Sequence, residues 1–341
     1  MIKQNLDAHY ITQEEKIFKE FCLNKNEYCL NKYPIINESG INGDFLEKYL
    51  EIILKLKVVI GVDTFNSIDN LFYNIEYITY IFLGHGVSYF KQFLYKDYLN
   101  FKKYDKIVIP PSNLTISIAK KYGWKDQDII KICLPRWDKF NIKNNLISKK
   151  KSIFLMFTWR KTQNGKSLSN YYINNTIKLL KNKELNKILK KNNITFFFAY
   201  HHALNENTNI ISNNYPNIRL IKQTHISYYL KESNLLITDF SSIVFDYIYQ
   251  KKPFILYVPD SEDPNLKNLY IKPYYDIING LKNGSIYFEN KFFNLDKVIT
   301  KIKYYINHNF QLDKKLIFFY RNFQYNEINI TNNLINYLKQ L

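Results

Sequence analysis

The stretch Leu235–Asp260, LLITDFSSIVFDYIYQKKPFILYVPD, decides the fold. LLIT reads as a buried strand ending at Asp239, a Ser241-Ser242 pair opens a helix over Ile243–Gln250, and Pro253–Val258 is apolar again. Strand, turn, helix and strand in so short a span is the signature of a parallel α/β sheet. The two serines are placed to cap free N–H groups at the helix start, and those N–H groups with the helix dipole also suit phosphate. Asp246, just inside the helix, suits a pair of ribose hydroxyls.

The same alternation extends on both sides. Upstream, strands are expected at Val58–Asp63, Tyr80–Leu83, Lys106–Ile109 and Ile129–Leu134. Further along they are expected at Ile153–Thr158, Thr195–Tyr200 and Ile218–Lys222, with helical spacing at Tyr171–Leu189. The polar segment Asn141–Ser152, NIKNNLISKKKS, reads as a linker between two α/β units. This divides the chain into residues 1–145, 150–310 and a closing helical segment, 311–341, expected to pack back on one unit. Open parallel sheets bind ligands beyond the carboxyl ends of their strands, so two such units in tandem frame a cleft there.

Composition narrows the function. The chain has 341 residues, a net charge of +18, 46% hydrophobic and 17% aromatic residues, which suffices for a full core and excludes a disordered or collagenous chain. Three cysteines, Cys22, Cys29 and Cys133, show no metal-binding spacing and make a disulfide framework unexpected. No apolar run reaches eighteen residues and the N-terminus is charged throughout, so neither a membrane span nor a signal peptide is expected and a cytoplasmic protein is the default. The positive charge calls for a polyanion: nucleic acid, an anionic membrane surface or a phosphate-rich substrate. Lysine carries nearly all of that charge. Only four arginines occur, at 136, 160, 219 and 321, so an arginine here is a choice of geometry, its planar fork gripping phosphate or carboxylate with two bonds.

Four clusters fall after expected strands. In Leu83–Lys91, LGHGVSYFK, two glycines bracket His85 in a tight turn that uncovers its imidazole as a general base, with Lys91 nearby. The plain alternative is a turn histidine at the sheet end. In Tyr200–Asn207, YHHALNEN, His201 or His202 lies where it faces the first site across the cleft, or is a solvated loop residue. The third cluster is the serine turn with Asp239 and Asp246. The fourth is a pair of arginine turns, PRWD at 135–138 and TWR at 158–160, which form either a diphosphate clamp at the cleft mouth or an ion pair at a domain hinge.

Taken in order, HGVSYFK, PRWDKF, TWR, the YHH site and TDFSSIVFDY resemble the CDP-glycerol glycerophosphotransferase family of teichoic-acid and capsule enzymes. The resemblance spans roughly Val58 to Asp260. It implies two Rossmann-like domains facing across a cleft, a GT-B-like arrangement, and transfer of glycerol phosphate or a related polyol phosphate from a CDP donor to a glycan or lipid-linked hydroxyl, with release of CMP. It implies His85 as the base and His201 as the second catalytic histidine, with His202 the alternative. Lys91, Arg136, Arg160, Asp239, Ser241, Ser242 and Asp246 are implied on the donor side. This sequence has HGVS where the family often has HGTP, and His201 is followed by His202 and Ala203 where the family often has proline. No carboxylate-rich cage is visible, so no bound metal is expected beyond a Mg²⁺ carried by the donor diphosphate. An inner-face peripheral membrane location follows from lysines facing anionic lipid.

Two other readings stand beside this one. A nucleotide-sugar glycosyltransferase of the same architecture would use the same ribose contact, and fold does not separate the two. A basic nucleic-acid-binding protein accounts for the charge and the aromatic content, but the lysines are spread along the chain without an arginine-rich stripe.

Overall fold

The structure is a computed structural model describing residues 54–61, 76–84, 86–100, 104–141, 150–158, 170–199, 217–222, 225–270, 272–284, 290–323 and 325–341, together with four two-residue strands upstream. Those are β1 (Tyr10–Ile11), parallel to β2 (Cys29–Leu30), and β3 (Ile36–Asn37), antiparallel to β4 (Gly40–Ile41). Two larger parallel sheets carry the fold. The first has the order β5 (Val58–Gly61), β6 (Thr79–Phe82), β7 (Lys106–Val108), β8 (Ile129–Ile130). The second has six strands in the order β11-β10-β9-β12-β13-β14, from β9 (Ser152–Met156), β10 (Thr195–Ala199), β11 (Ile218–Leu220), β12 (Leu235–Thr238), β13 (Phe254–Tyr257) and β14 (Lys291–Phe292).

The sequence accounts for the order of burial. The central strands β12 and β13 are apolar at almost every position and buried at all of them, as expected of strands with helices on both faces. The edge strand β11 has only Ile218 buried; Arg219 and Leu220 are exposed. All nine strands expected from the sequence are present; the apolar pattern did not reveal the two-residue strands β1 to β4 or β14, a half-buried pair at the edge of the second sheet.

Three local expectations change. The helix read over Tyr171–Leu189 is two, Asn170–Leu180 and Lys183–Lys191, because the Asn182 side chain accepts a bond from Leu185 N at 2.9 Å and starts a new helix. Strand β8 stops at Ile130 although Ile132–Leu134 remain apolar, because Cys133 N leaves the ladder and donates to Glu327 Oε2 at 2.6 Å. The helix after the serines, Val244–Tyr249, has six residues and Ile243 as N-cap, without a side-chain cap bond. The turn before it is closed by backbone bonds, Val244 N to Ser241 O and Phe245 N to Ser242 O, so the serine hydroxyls do not cap it as expected.

The closing segment does not stay on one unit. Helix Lys314–Tyr320 lies on the second sheet, where Tyr320 stacks on Phe254 of β13. Helix Ile330–Leu338 lies on the first, where Leu334 packs with Ile81, Val108 and Ile130 of β6, β7 and β8. Between them the chain crosses an aromatic seam in which Tyr89 meets Phe245, Phe319 and Phe323, and Trp137 stacks on Tyr249 at 4.7 Å between ring centroids. Among the described residues no helix is long and apolar enough to cross a membrane.

Candidate active site

The carboxyl ends of β9 and β12 are tied together by Asp239. It is fully buried, and its carboxylate accepts from Thr158 N at 3.0 and 3.1 Å and from Thr158 Oγ1 at 2.8 Å. A carboxylate taking an N–H and a hydroxyl from one residue fixes that residue firmly. Asp239 thereby fixes the root of the TWR turn, whose Trp159 and Arg160 lie outside the described residues. Asp239 acts through Thr158, whereas the sequence placed it beside the donor.

The first sheet brings its glycine turn onto this edge of the second. Gly84 has φ +72°, a left-handed conformation that glycine adopts without cost. Gly86 lies against Ser242 so closely that a Cβ there would stand 2.2 Å from Ser242 Oγ and 2.5 Å from Ser242 Cβ. Glycine at 86 is therefore required by the approach of the two chain halves, as well as by the turn. His85 between them lies outside the described residues, as do His201 and His202. A few residues on, Lys91 Nζ lies 5.8 Å from the centroid of the Tyr274 ring, and that ring also meets Phe240, next to Asp239. At this junction Gly86 and Ser242 meet directly, and Lys91 reaches the neighbourhood of Asp239 through the rings of Tyr274 and Phe240.

The PRWD turn carries an ion pair. Asp246 is 2% exposed, and its Oδ1 accepts from Arg136 Nη2 at 2.7 Å, Arg136 Nε at 3.2 Å and Trp137 Nε1 at 2.5 Å. Three donors on one oxygen, two of them from a guanidinium, repay the desolvation of a buried carboxylate. Arg136 and Asp246 face each other and lock the end of the first unit to the helix Val244–Tyr249. An ion pair at this place was one of the two sequence readings of the turn; the Asp246 carboxylate, expected on the donor side, is here engaged by Arg136 and Trp137. Asp138 of the same turn accepts from Ile330 N at 2.8 Å, Thr331 N at 2.7 Å and Thr331 Oγ1 at 2.6 Å, and so caps the helix that returns to the first sheet. Cys133, just before the turn, is fully buried; burial, and then the neighbouring Glu327, push its thiol pKa up, which makes it a packing residue.

Sequence reasoning passed over Thr158, Trp137, Tyr274 and Glu327. The first two sit inside quoted motifs and were legible as neighbours of arginines. Tyr274 and Glu327 reach the junction from distant segments with no motif to mark them.

Comparison with known proteins identifies the family. The family described as CDP-glycerol:poly(glycerophosphate) glycerophosphotransferase matches residues 23–339. The minor teichoic acid biosynthesis protein GgaB of Bacillus subtilis is 26% identical over 368 residues, an alignment covering 96% of this chain and 38% of that protein. The teichoic acid ribitol-phosphate polymerase TarL of Staphylococcus aureus is 23% identical, with 82% and 50% covered. The chain therefore spans half or less of the length of these two curated relatives. Among solved structures, the UDP-GlcNAc 2-epimerase of Methanocaldococcus jannaschii superposes with a TM-score of 0.55 at 16% identity, covering 100% of this chain and 94% of that one, which shows a shared two-sheet fold. With a match to nearly its whole length, the chain belongs to the CDP-glycerol:poly(glycerophosphate) glycerophosphotransferase family.

Proposed function

We propose that this chain transfers glycerol phosphate, or a related polyol phosphate such as ribitol phosphate, from a CDP donor to a hydroxyl of a glycan or lipid-linked acceptor, in the synthesis of a teichoic-acid-like or capsular polymer. The observation that carries the reading is the contact of Gly86 with Ser242, which sets the turn bearing His85 against the serine turn of the second sheet. In this reading the acceptor oxygen attacks the distal phosphorus and a new P–O bond forms. The bond to the CMP oxygen breaks, CMP leaves with that electron pair, and the acceptor proton passes to His85.

His201, or His202 in its place, steadies charge on the transferring phosphoryl group. Arg160, Ser241, Ser242 and Lys91 hold the diphosphate, with Asp239 fixing the turn that carries Arg160. Arg136 and Asp246 hold the two halves at the spacing this chemistry needs. The reading assigns no resident metal, and a Mg²⁺ carried by the donor diphosphate is compatible with it. It also places the protein at the inner face of the cell membrane, where a lipid-linked acceptor and anionic headgroups meet a chain of net charge +18.

The test is a donor screen. CDP-glycerol or CDP-ribitol is expected to release CMP in the presence of a polyol-phosphate acceptor, and His85→Ala to lower the rate by a factor of about 10² or more. Turnover confined to UDP- or GDP-sugars would replace this reading by sugar transfer.

A further inference from the structure

A pocket lies at the opposite end of the second sheet from the junction. It has a volume of about 200 Å³ and is lined by Lys150, Ser152, Thr195, Phe197, Arg219, Tyr228, Tyr229 and Glu232. Ser152 and Thr195 are the first residues of β9 and β10, so the pocket opens at the amino ends of the strands. Thr158, six residues on from Ser152, and Asp239 mark the other end, about 20 Å away at about 3.3 Å per extended residue.

Four features of this pocket point to a ligand. Arg219 is one of only four arginines in a chain that otherwise uses lysine, and it stands on the exposed edge strand β11. Its guanidinium makes no ion pair or hydrogen bond with a described residue. It is in register with Phe197, so both side chains rise from the same face of the sheet. Phe197 and Tyr229 form an aromatic floor with ring centroids 4.3 Å apart, and Tyr228, 53% exposed, stands beside Tyr229 at 5.2 Å. Thr195 is 5% exposed, yet its hydroxyl makes no hydrogen bond with a described residue. Thr195 lines the pocket, so its hydroxyl is available there to donate to or accept from a bound ligand.

We infer that this pocket binds one phosphate-bearing polyol unit of the anionic acceptor chain, away from the junction where transfer takes place. Arg219 grips the phosphate with its fork, and Thr195 supplies a further hydroxyl bond. The aromatic floor takes the carbon face of the polyol, while Glu232 accepts from its hydroxyls. The carboxylate fits a ligand that presents hydroxyls beside phosphate better than one that presents phosphate alone. Holding the chain here raises its effective concentration at the other end of the sheet, so a long acceptor gains over a short one. The choice of ligand rests on the proposed function; the binding itself is measured without turnover.

The test uses the full chain, with a poly(glycerol phosphate) oligomer of defined length, sn-glycerol 3-phosphate, and an oligothymidylate of equal charge as probes in calorimetric titrations. The oligomer is expected to bind more tightly than either other probe. Its affinity is expected to fall tenfold or more in Arg219→Ala and in Thr195→Val, and less in Arg219→Lys. In CMP-release assays Arg219→Ala is expected to raise KM for a long acceptor by a similar factor and leave kcat, and the rate with a one-unit acceptor, unchanged. Unaltered oligomer affinity in Arg219→Ala overturns the inference, as does equal loss with short and long acceptors. Oligothymidylate bound as tightly as the oligomer makes the pocket a general polyanion site, and equal affinity for sn-glycerol 3-phosphate makes it a small-molecule site; either result ends the acceptor-chain assignment. If the wild type releases no CMP from any CDP-polyol, the proposed function fails, and the oligomer titrations still decide the pocket.

Discussion

Gly86, Asp246 and Lys252 each give one side chain, or its lack, a measurable consequence. Gly86→Ala forces a Cβ into Ser242, and overpacking of this kind costs about 1–3 kcal/mol. It should lower Tm and CMP release together. Combining it with Ser242→Gly, which removes both atoms in the way, should recover most of the lost Tm; a merely additive double variant would mean the two residues do not touch. Asp246→Ala strands the Arg136 guanidinium and the Trp137 N–H, and loss of one partner of a buried pair costs about 3–5 kcal/mol. Because Arg136 is 29% exposed, the lower end is expected, read by urea denaturation, with Arg136→Ala/Asp246→Ala closer to the wild type than the sum of the single changes. Lys252 is held down to about 8 by burial, below its ordinary 10.5. Between those values the unfolded chain binds more protons than the native one, so stability should rise from pH 8 toward pH 9, above which the buried Cys133 thiol, which ionises from about 9.0 only when unfolded, opposes the rise. Burial pushes Tyr247 and Tyr320 the other way; they ionise first in the unfolded chain, and stability should fall again above the ordinary tyrosine value of 10.0. Unfolding followed across this range should show a shallower rising limb in Lys252→Met, with the remainder from Lys139 and Lys291, which burial also lowers. The motifs around these residues were legible because each ends a strand. The bond between Arg136 and Asp246 was legible only as one of two readings, since their side chains lie 110 positions apart and nothing local pairs them.

The same contrast holds for elements. Strands such as β12 and β13 could be placed within a residue or so, because full burial leaves a continuous apolar run that turn residues bound. Where a strand ends for a tertiary reason the sequence is silent: β8 stops because Glu327 takes Cys133 N, while the apolar run goes on. The helix Ile330–Leu338 is a similar case, since its cap, Asp138, belongs to a turn nearly two hundred residues earlier. Asp138→Ala removes three bonds from that helix start and should cost about 1–2 kcal/mol. Hydrogen exchange should show the loss first in residues 330–338 and the first sheet, with the second sheet unaffected. Protection lost evenly over the whole chain would mean that the cap serves global stability and not this helix.

At the scale of the whole molecule, two parallel sheets and their order along the chain followed from the alternation of apolar and amphipathic segments. What did not follow was that the closing segment belongs to both. Helix Lys314–Tyr320 completes the second sheet's cover and helix Ile330–Leu338 the first's, so the chain passes between the units twice. Ending the chain after residue 329 would bare Ile81, Val108 and Ile130, and dye binding to exposed apolar surface together with a lowered Tm should report it. The double crossing also bears on exchange of parts between relatives. A recombinant made at a single joint near residue 150 would bring a foreign final helix onto the native first sheet, with Asp138 facing a helix start it did not evolve beside. The second unit is therefore better transplanted as an internal cassette, with a second joint between residues 321 and 329, so that each half keeps the helix that closes it.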